Sequence, residues 1–294
     1  CECGEAAHAS MDGKPDNSTV AARLEELRKL ARVATRGDKA AVDRATACTS
    51  DSNPDVRRAA LLALAQHVAS GEQPAIMAAV KCLTDEDGFV RQEATRSLGK
   101  IAEEDRASTS GAIMPYLKHD DWHFREAAVR ALGESGGKGN VPVIRALANC
   151  LQDEELEVRE AAVQSLAKVA NRGDTEAISA VLDMLQHKDC RVRHAAVRAM
   201  VAVANKGDEN AVAAVASLLE HTFPDVRYCA VQAMVQVADG NDRAISGVAA
   251  CLEDADALIR GAAVEALMKL TAEGDERAIK AAALRLKHSE QSVR

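Results

Sequence analysis

Aromatic side chains are nearly absent from this sequence: one Trp, two Tyr and three Phe make up 2% of its 294 residues. A compact core of that length ordinarily draws on Phe, Tyr and Trp for large buried areas. A hydrophobic content of 47% carried mainly by Ala, Val and Leu therefore points to thin layers of packed helices rather than a sheet sandwich. No apolar run approaches the roughly 18 residues of a membrane-crossing helix, so membrane insertion is not expected. The opening CECGEAAHASMDGKPDNS has no basic segment followed by an apolar one, so no signal peptide is visible. Starting at Cys1 rather than Met, the chain reads as processed or truncated. Also missing are G-x-G-x-x-G, the P-loop and G-x-S-x-G. Acidic pairs such as Glu154-Glu155 and Glu103-Glu104-Asp105 fall at turns with no anchored partner for acid–base work. The expectation is a protein that is not an enzyme, with no catalytic residue, cofactor or metal. A net charge of −8 and too few aromatics for base stacking argue against nucleic acid as partner.

What the sequence does contain is a repeat. The step Val56-Arg57 returns as Val90-Arg91, Phe124-Arg125, Val158-Arg159, Val192-Arg193, Val226-Arg227, Ile259-Arg260 and Val293-Arg294, at intervals of 34 with one of 33. Counting back one further interval reaches Arg23. Each unit reads as two amphipathic helices. In the stretch 173–206, helix A carries Ala177, Ile178, Val181, Leu182 and Leu185, and helix B carries Val192, Ala195, Ala196, Val197, Met200 and Val203, both at helical spacing. Gly173 is placed to end the preceding helix in the left-handed conformation, and Asp174 to cap the next. The predicted organisation is a flexible segment over 1–17, then a single array over 18–294: a half repeat at 18–36, repeats at 37–70, 71–104, 105–138, 139–172, 173–206, 207–239 and 240–273, and an incomplete one at 274–294. Because the sequence stops where helix B should begin, it is expected to be part of something longer or to be covered at its end. The glycine-rich ESGGKGN at 134–140 is the expected hinge.

The pattern D-x4-VR-x-AAV-x-AL-x2-VA-x2-GD, seen from Asp153 to Asp174 with one deviation, resembles HEAT repeats, specifically the short variety also found in phycobilisome-lyase-like proteins. The resemblance implies an all-α, right-handed α-solenoid (superhelix) of about seven to eight 34-residue helical hairpins. It also implies a structural ladder of Arg57, Arg91, Arg125, Arg159, Arg193, Arg227 and Arg260 with an acidic column at Asp51, Asp85, Asp153 and Asp254. Each guanidinium would be satisfied by carboxylates and by carbonyls at the end of helix A. His119, His187, His221 and His288 stand in that acidic column in the other repeats, four of the eight histidines. A neutral imidazole there is expected to accept a bond from the arginine, and a protonated one to repel it. Deoxyhypusine hydroxylase, an enzyme on a similar scaffold, holds iron through His-Glu dipeptides, and none occurs here.

The repeat frame also places the cysteines. Cys48, Cys82, Cys150 and Cys251 stand nine residues before a ladder arginine, on the inner side of helix A, and are expected to behave as small buried hydrophobes. Unpaired buried thiols indicate an intracellular, reducing compartment. Only Cys1 and Cys3 have any ligand-like spacing, and one pair is a weak metal signal. On helix B, the positions five and nine residues after the ladder arginine hold Arg28, Arg96, Arg130 and Arg198, then Arg32, Lys100, Lys168 and Lys269, against Glu134 and Glu265. This reads as a basic stripe on the concave face. The candidate partner-binding residues are Arg96, Lys100, Arg130, Lys168 and Arg198, with Trp122 in the irregular turn HDDWHFREAAV. The expected function is a non-enzymatic interaction scaffold, adaptor or peripheral subunit binding a protein partner through an acidic or phosphorylated segment. The alternative is a chromophore lyase or chaperone-like assembly factor for a pigment protein.

Overall fold

The computed structural model describes residues 17–285. Cys1, Cys3, His288, Arg294 and residues 1–16 of the segment 1–17 expected to be flexible lie outside the described residues. Contacts divide the chain into two compact units, residues 1–112 and 113–294. The first contains α1 (Asn17–Val33), α2 (Lys39–Cys48), α3 (Pro54–His67), α4 (Gln73–Lys81) and α5 (Gly88–Ile101), and ends within α6 (Arg106–Ile113). The second begins with a 3-10 turn, Met114–Lys118, followed by α7 (Trp122–Ser135), α8 (Val141–Asn149), α9 (Leu156–Val169), α10 (Thr175–Leu185), α11 (Cys190–Val203), α12 (Glu209–Ala216), α13 (Pro224–Val237), α14 (Asp242–Ala250), α15 (Ala257–Leu270) and α16 (Glu276–Arg285). Each unit is an α-solenoid stack of hairpins, with even-numbered A helices and odd-numbered B helices. The division falls at 112/113, inside the repeat 105–138. From the glycine-rich stretch 134–140, Gly139 N–H donates to Val169 O at 2.8 Å and Lys138 Nζ donates to Ala170 O at 3.0 Å.

The helices begin where the sequence supplies caps. Asp38, Asn53, Asp87, Asp121, Asn140, Asp174, Asp189, Asp208, Asn241 and Asp256 each accept a hydrogen bond from a first-turn backbone N–H of the following helix. Three A helices, α4, α8 and α14, tighten at their C-termini into 3-10 turns that start at Cys82, Cys150 and Cys251.

The core explains the scarcity of aromatics. Three residues after each ladder arginine stands an alanine, Ala60, Ala94, Ala128, Ala162, Ala196, Ala230 and Ala263, and all seven are fully buried. Small residues let neighbouring B helices approach closely. At the α7–α9 contact, Ser165 Oγ–H donates across to Val129 O at 3.0 Å, and a Cβ added at Gly133 would come within 2.5 Å of Ser165 Oγ. Leu, Ile and Val such as Leu64, Ile76, Ile144, Leu147, Leu166 and Val181 fill the space between A and B layers. Leucine-sized groups suffice for layers this thin.

Candidate functional site

Two sets of hydrogen bonds join successive hairpins, and together they fix the exposed face of the B helices. At the end where helix A turns into helix B, the ladder arginine of each repeat donates from Nη1 to the backbone carbonyls six and five residues earlier. Arg57 reaches Asp51 O at 2.9 Å and Ser52 O at 3.2 Å. Arg91, Arg125, Arg159, Arg193, Arg227 and Arg260 repeat this arrangement. With Nη1 so anchored, the Nε–Nη2 edge faces the following repeat. There it forms two-pronged pairs with the next acidic residue: Arg57 with Asp85 at 2.7 and 2.7 Å, Arg125 with Asp153 at 2.7 and 2.8 Å, and Arg227 with Asp254 at 2.6 and 2.8 Å. Arg23, absent from the sequence-based ladder, likewise approaches Asp51 at 3.0 Å. Arg57 thus takes the carbonyl of its own repeat's aspartate and the carboxylate of the next, while Arg125 and Arg227 take the carbonyls of His119 and His221 and the next repeat's carboxylate. Hydrogen bonds from Arg227 hold the Asp254 carboxyl below its ordinary value, and the same pairing raises the guanidinium values of Arg57, Arg125 and Arg227 further.

The histidine column behaves differently from expectation. His119, His187 and His221 accept from the backbone N–H of Asp121, Asp189 and Phe223 at 3.1, 3.1 and 3.2 Å through Nδ1. The column's aspartates accept the same turn bond through Oδ1, as Asp85 does from Asp87 N–H at 2.9 Å. The neutral ring then carries its proton on Nε2, which cannot accept from a guanidinium. The expected arginine-to-imidazole bond is therefore absent at Arg159 and Arg193, because the turn has already taken the ring's one acceptor. Arg193 finds a substitute, Asp225, whose Oδ2 lies 2.9 Å from Nη2.

At the opposite end of the hairpins a second ladder runs through the glycines that follow helix B. Gly37, Gly139, Gly173 and Gly207 have φ between +72° and +82°, and their N–H groups donate to His67, Val169, Val203 and Val237 O, the last carbonyl of the next B helix, at 2.7–2.8 Å. Left-handed backbone and close approach both demand glycine here. Sequence reading gave Gly173 a helix-ending role and put Gly139 in the expected hinge, and it missed the bond to the neighbouring repeat, though the glycines share the period of the arginines.

On the exposed face of the B helices, the basic stripe carries its own counter-charges. In the second unit Arg130 pairs with Glu126 at 2.9 Å, Lys168 with Glu134 at 2.5 Å, and Arg198 with Glu160 at 2.9 Å. In the first, Arg96 lies 3.8 Å from Glu93, while Lys100, Arg28 and Arg32 are exposed. The reading of a net basic stripe counted two columns and overlooked a third, immediately after the ladder arginine, which holds Glu126 and Glu160. Trp122 is half-buried at the start of α7 and stacks on His123 with ring centroids 3.7 Å apart. Phe124 meets His119 edge-on at 4.9 Å.

Between B helices the face opens into grooves. One of about 540 Å³ lies between α13 and α15, lined among others by Tyr228, Gln232, Gln236, Leu258, Glu265 and Lys269. A smaller one of about 180 Å³ lies between α9 and α11. Leu258 and Leu156, at the edges of these grooves, are 74% and 53% exposed. The thiols of Cys82, Cys150 and Cys251 take no part in this face. Burial pushes Cys82 and Cys251 up to about 11 and Cys150 to about 12, so they stay protonated and unreactive. Among the described residues no three His, Cys, Asp or Glu side chains stand together as a metal site, and no helix is long and apolar enough to cross a membrane.

A sequence-family model described as HEAT repeats matches residues 42–109, 80–167, 144–234, 189–268 and 212–294. No curated protein matches the chain. Solved structures with a similar course include an engineered protein from the Northeast Structural Genomics Consortium, 20% identical, with 96% of this chain and 84% of that one covered and a TM-score of 0.40. A designed armadillo repeat protein in complex with the peptide (KR)4 is also 20% identical, over 67% of this chain and 99% of that one, with a TM-score of 0.35.

Proposed function

The chain belongs to the HEAT-repeat proteins, and on that footing we propose that it is a non-enzymatic scaffold or adaptor whose B-helix row holds an extended, acidic segment of a protein partner. The observation that carries this reading is the pattern on the second unit's B helices. Paired charges alternate along the row, Arg130–Glu126, Lys168–Glu134 and Arg198–Glu160, and the grooves between helices each present an exposed leucine beside polar groups. Exposed ion pairs of this kind contribute only about 0–1 kcal/mol each to folding. Their arginines and lysines are therefore free to exchange partners at little cost to the fold, and an incoming carboxylate competes with glutamates that hold them weakly.

The test separates binding from folding. Cross-linking of the native protein in its own extract identifies the partner and the linked peptides. The double variant Arg130→Glu with Arg198→Glu should then lose that partner by about tenfold or more while its melting temperature stays within a degree or two, since reversing two surface charges changes association far more than stability. Cross-links confined to the A-helix side, or a double variant that binds as well as the wild type, would contradict the assignment of the face.

A further inference from the structure

The rung of the arginine ladder that starts at Arg159 is open, and we infer that the groove between α9 and α11 is a carboxylate-binding subsite in which an acidic side chain of the partner completes the pair that Arg159 lacks. The inference rests on the reading of the B-helix row as the partner-binding face and names one anchor point within it. Arg159 is 5% exposed. Its Nη1 is held by Asp153 O at 2.6 Å and Glu154 O at 2.7 Å, the same anchorage that turns the Nε–Nη2 edge of Arg57, Arg125 and Arg227 onto an aspartate of the next repeat. In the next repeat here, His187 occupies the aspartate's place, and its Nδ1 is committed to the Asp189 N–H. Arg193 faces the same substitution, His221, and Asp225, two residues before Arg227, takes its Nη2 while its Nε stays buried without a partner. The corresponding position for Arg159 is Arg191. The two routes that satisfy this edge elsewhere are both closed, and Nε and Nη2 of Arg159 have no acceptor among the described residues.

The surroundings favour an anion. Arg159, Arg191, His194 and Arg198 line the groove together, with Leu156 and Glu160. Of the nearby carboxylates, Asp189 pairs with Arg191 at 2.8 Å and Glu160 with Arg198 at 2.9 Å, while Glu154 points into water, 79% exposed and 3.7 Å from Arg125. The groove lining thus holds three guanidiniums, Arg159, Arg191 and Arg198, against one carboxylate, Glu160, and Asp189, whose carboxyl both Arg191 and Arg159 hold down, is bonded to Arg191. A buried guanidinium with one anchored nitrogen and a free two-donor edge matches the two oxygens of a carboxylate, and withdrawal from water strengthens such a pair. Leu156 at the edge of the groove supplies apolar contact for the methylenes of an Asp or Glu.

The substitution His187→Asp should close the subsite from within, because aspartate keeps the turn bond, as Asp85 does, and adds the missing carboxylate. Binding is read by titrating isotope-labelled full chain with a Gly-Asp repeat peptide, a Gly-Asn repeat peptide and a Gly-phosphoserine repeat peptide while following the arginine Nε–H resonances. The expected result is a saturable shift of Arg159 with the Gly-Asp peptide and none with Gly-Asn. In His187→Asp, which should melt above the wild type, the affinity read at the Arg159 resonance should fall by about tenfold or more, the scale of one charge-assisted two-pronged contact. An unshifted Arg159 in the wild type, or unchanged affinity in His187→Asp, would overturn the subsite. Shifts at Arg130 and Arg198 without Arg159 would overturn it while leaving the partner-binding face standing, which the cross-linking experiment judges separately. A response to the phosphoserine peptide alone would overturn the choice of a carboxylate.

Discussion

At the scale of single residues, the same amino acid does opposite things in different places. Gly207 sits at φ +82° with Asp239 Oδ2 only 2.6 Å from where a Cβ would stand, whereas Gly261 lies mid-helix in α15 with nothing within 4 Å. Gly207→Ala should therefore destabilise by about 1–3 kcal/mol through left-handed strain and crowding, and Gly261→Ala should stabilise by about 0.5–1 kcal/mol by helix propensity. Chemical denaturation of the two variants checks both signs. The charged residues divide in the same way. Arg57 and Asp85 expose 9% and 10% of their side chains, and removing one partner of a buried pair leaves an uncompensated charge, so Asp85→Ala should cost about 3–5 kcal/mol. The pairing also makes stability acid-sensitive. Because Arg227 lowers the folded-state value of Asp254, the stabilisation is full above the ordinary carboxyl value of about 4 and is lost as pH falls through the lowered value. A melting series from pH 6 to 2 should show that loss, and Asp254→Asn should flatten it. The arginine and aspartate columns were legible in the sequence because they recur with the repeat. Which aspartate pairs with which arginine was not, since six residues along the chain and one hairpin across space are indistinguishable without coordinates.

At the scale of elements, close helix packing takes the place of large side chains. Ala162 is fully buried on α9, where α7 and α9 approach within reach of the Ser165–Val129 hydrogen bond. Ala162→Leu should overpack that layer and cost about 1–3 kcal/mol, measurable by the shift of the urea midpoint. The cysteines at the ends of α4, α8 and α14 are buried, while Cys190 at the start of α11 is exposed. Brief alkylation of the native protein, read residue by residue by mass spectrometry, should label Cys190 and spare Cys82, Cys150 and Cys251 until the chain is unfolded. Helical periodicity announced every hairpin. It did not announce the 3-10 turns at Cys82, Cys150 and Cys251, because tightening of a last turn depends on how the A–B connection packs and leaves the apolar spacing unchanged. The stripe shows a related limit: Arg130 and Arg198 were found by counting columns, but the glutamates that face them stand one column away.

At the scale of the whole molecule, stability comes from contacts between neighbouring repeats. Each hairpin carries an apolar face that it cannot bury alone, and two hydrogen-bonded ladders, one through arginines and one through left-handed glycines, fix each repeat on the next within its unit. Charge is distributed by the same rule. Guanidiniums are satisfied in the ladder at Arg57, Arg125 and Arg227, and Arg159 is a place in the second unit where the pattern leaves an edge open. The central claim is that these rungs are energetic couplings between repeats. A double-mutant cycle on Arg125 and Asp153, set beside one on Arg159 and His187, measures it directly by denaturant unfolding. The account predicts a coupling of about 1–3 kcal/mol for the first pair, within the range seen for side chains that share a hydrogen-bonded network, and essentially none for the second. Additive losses at Arg125 and Asp153, or a coupling at Arg159 and His187 as large as theirs, would contradict it.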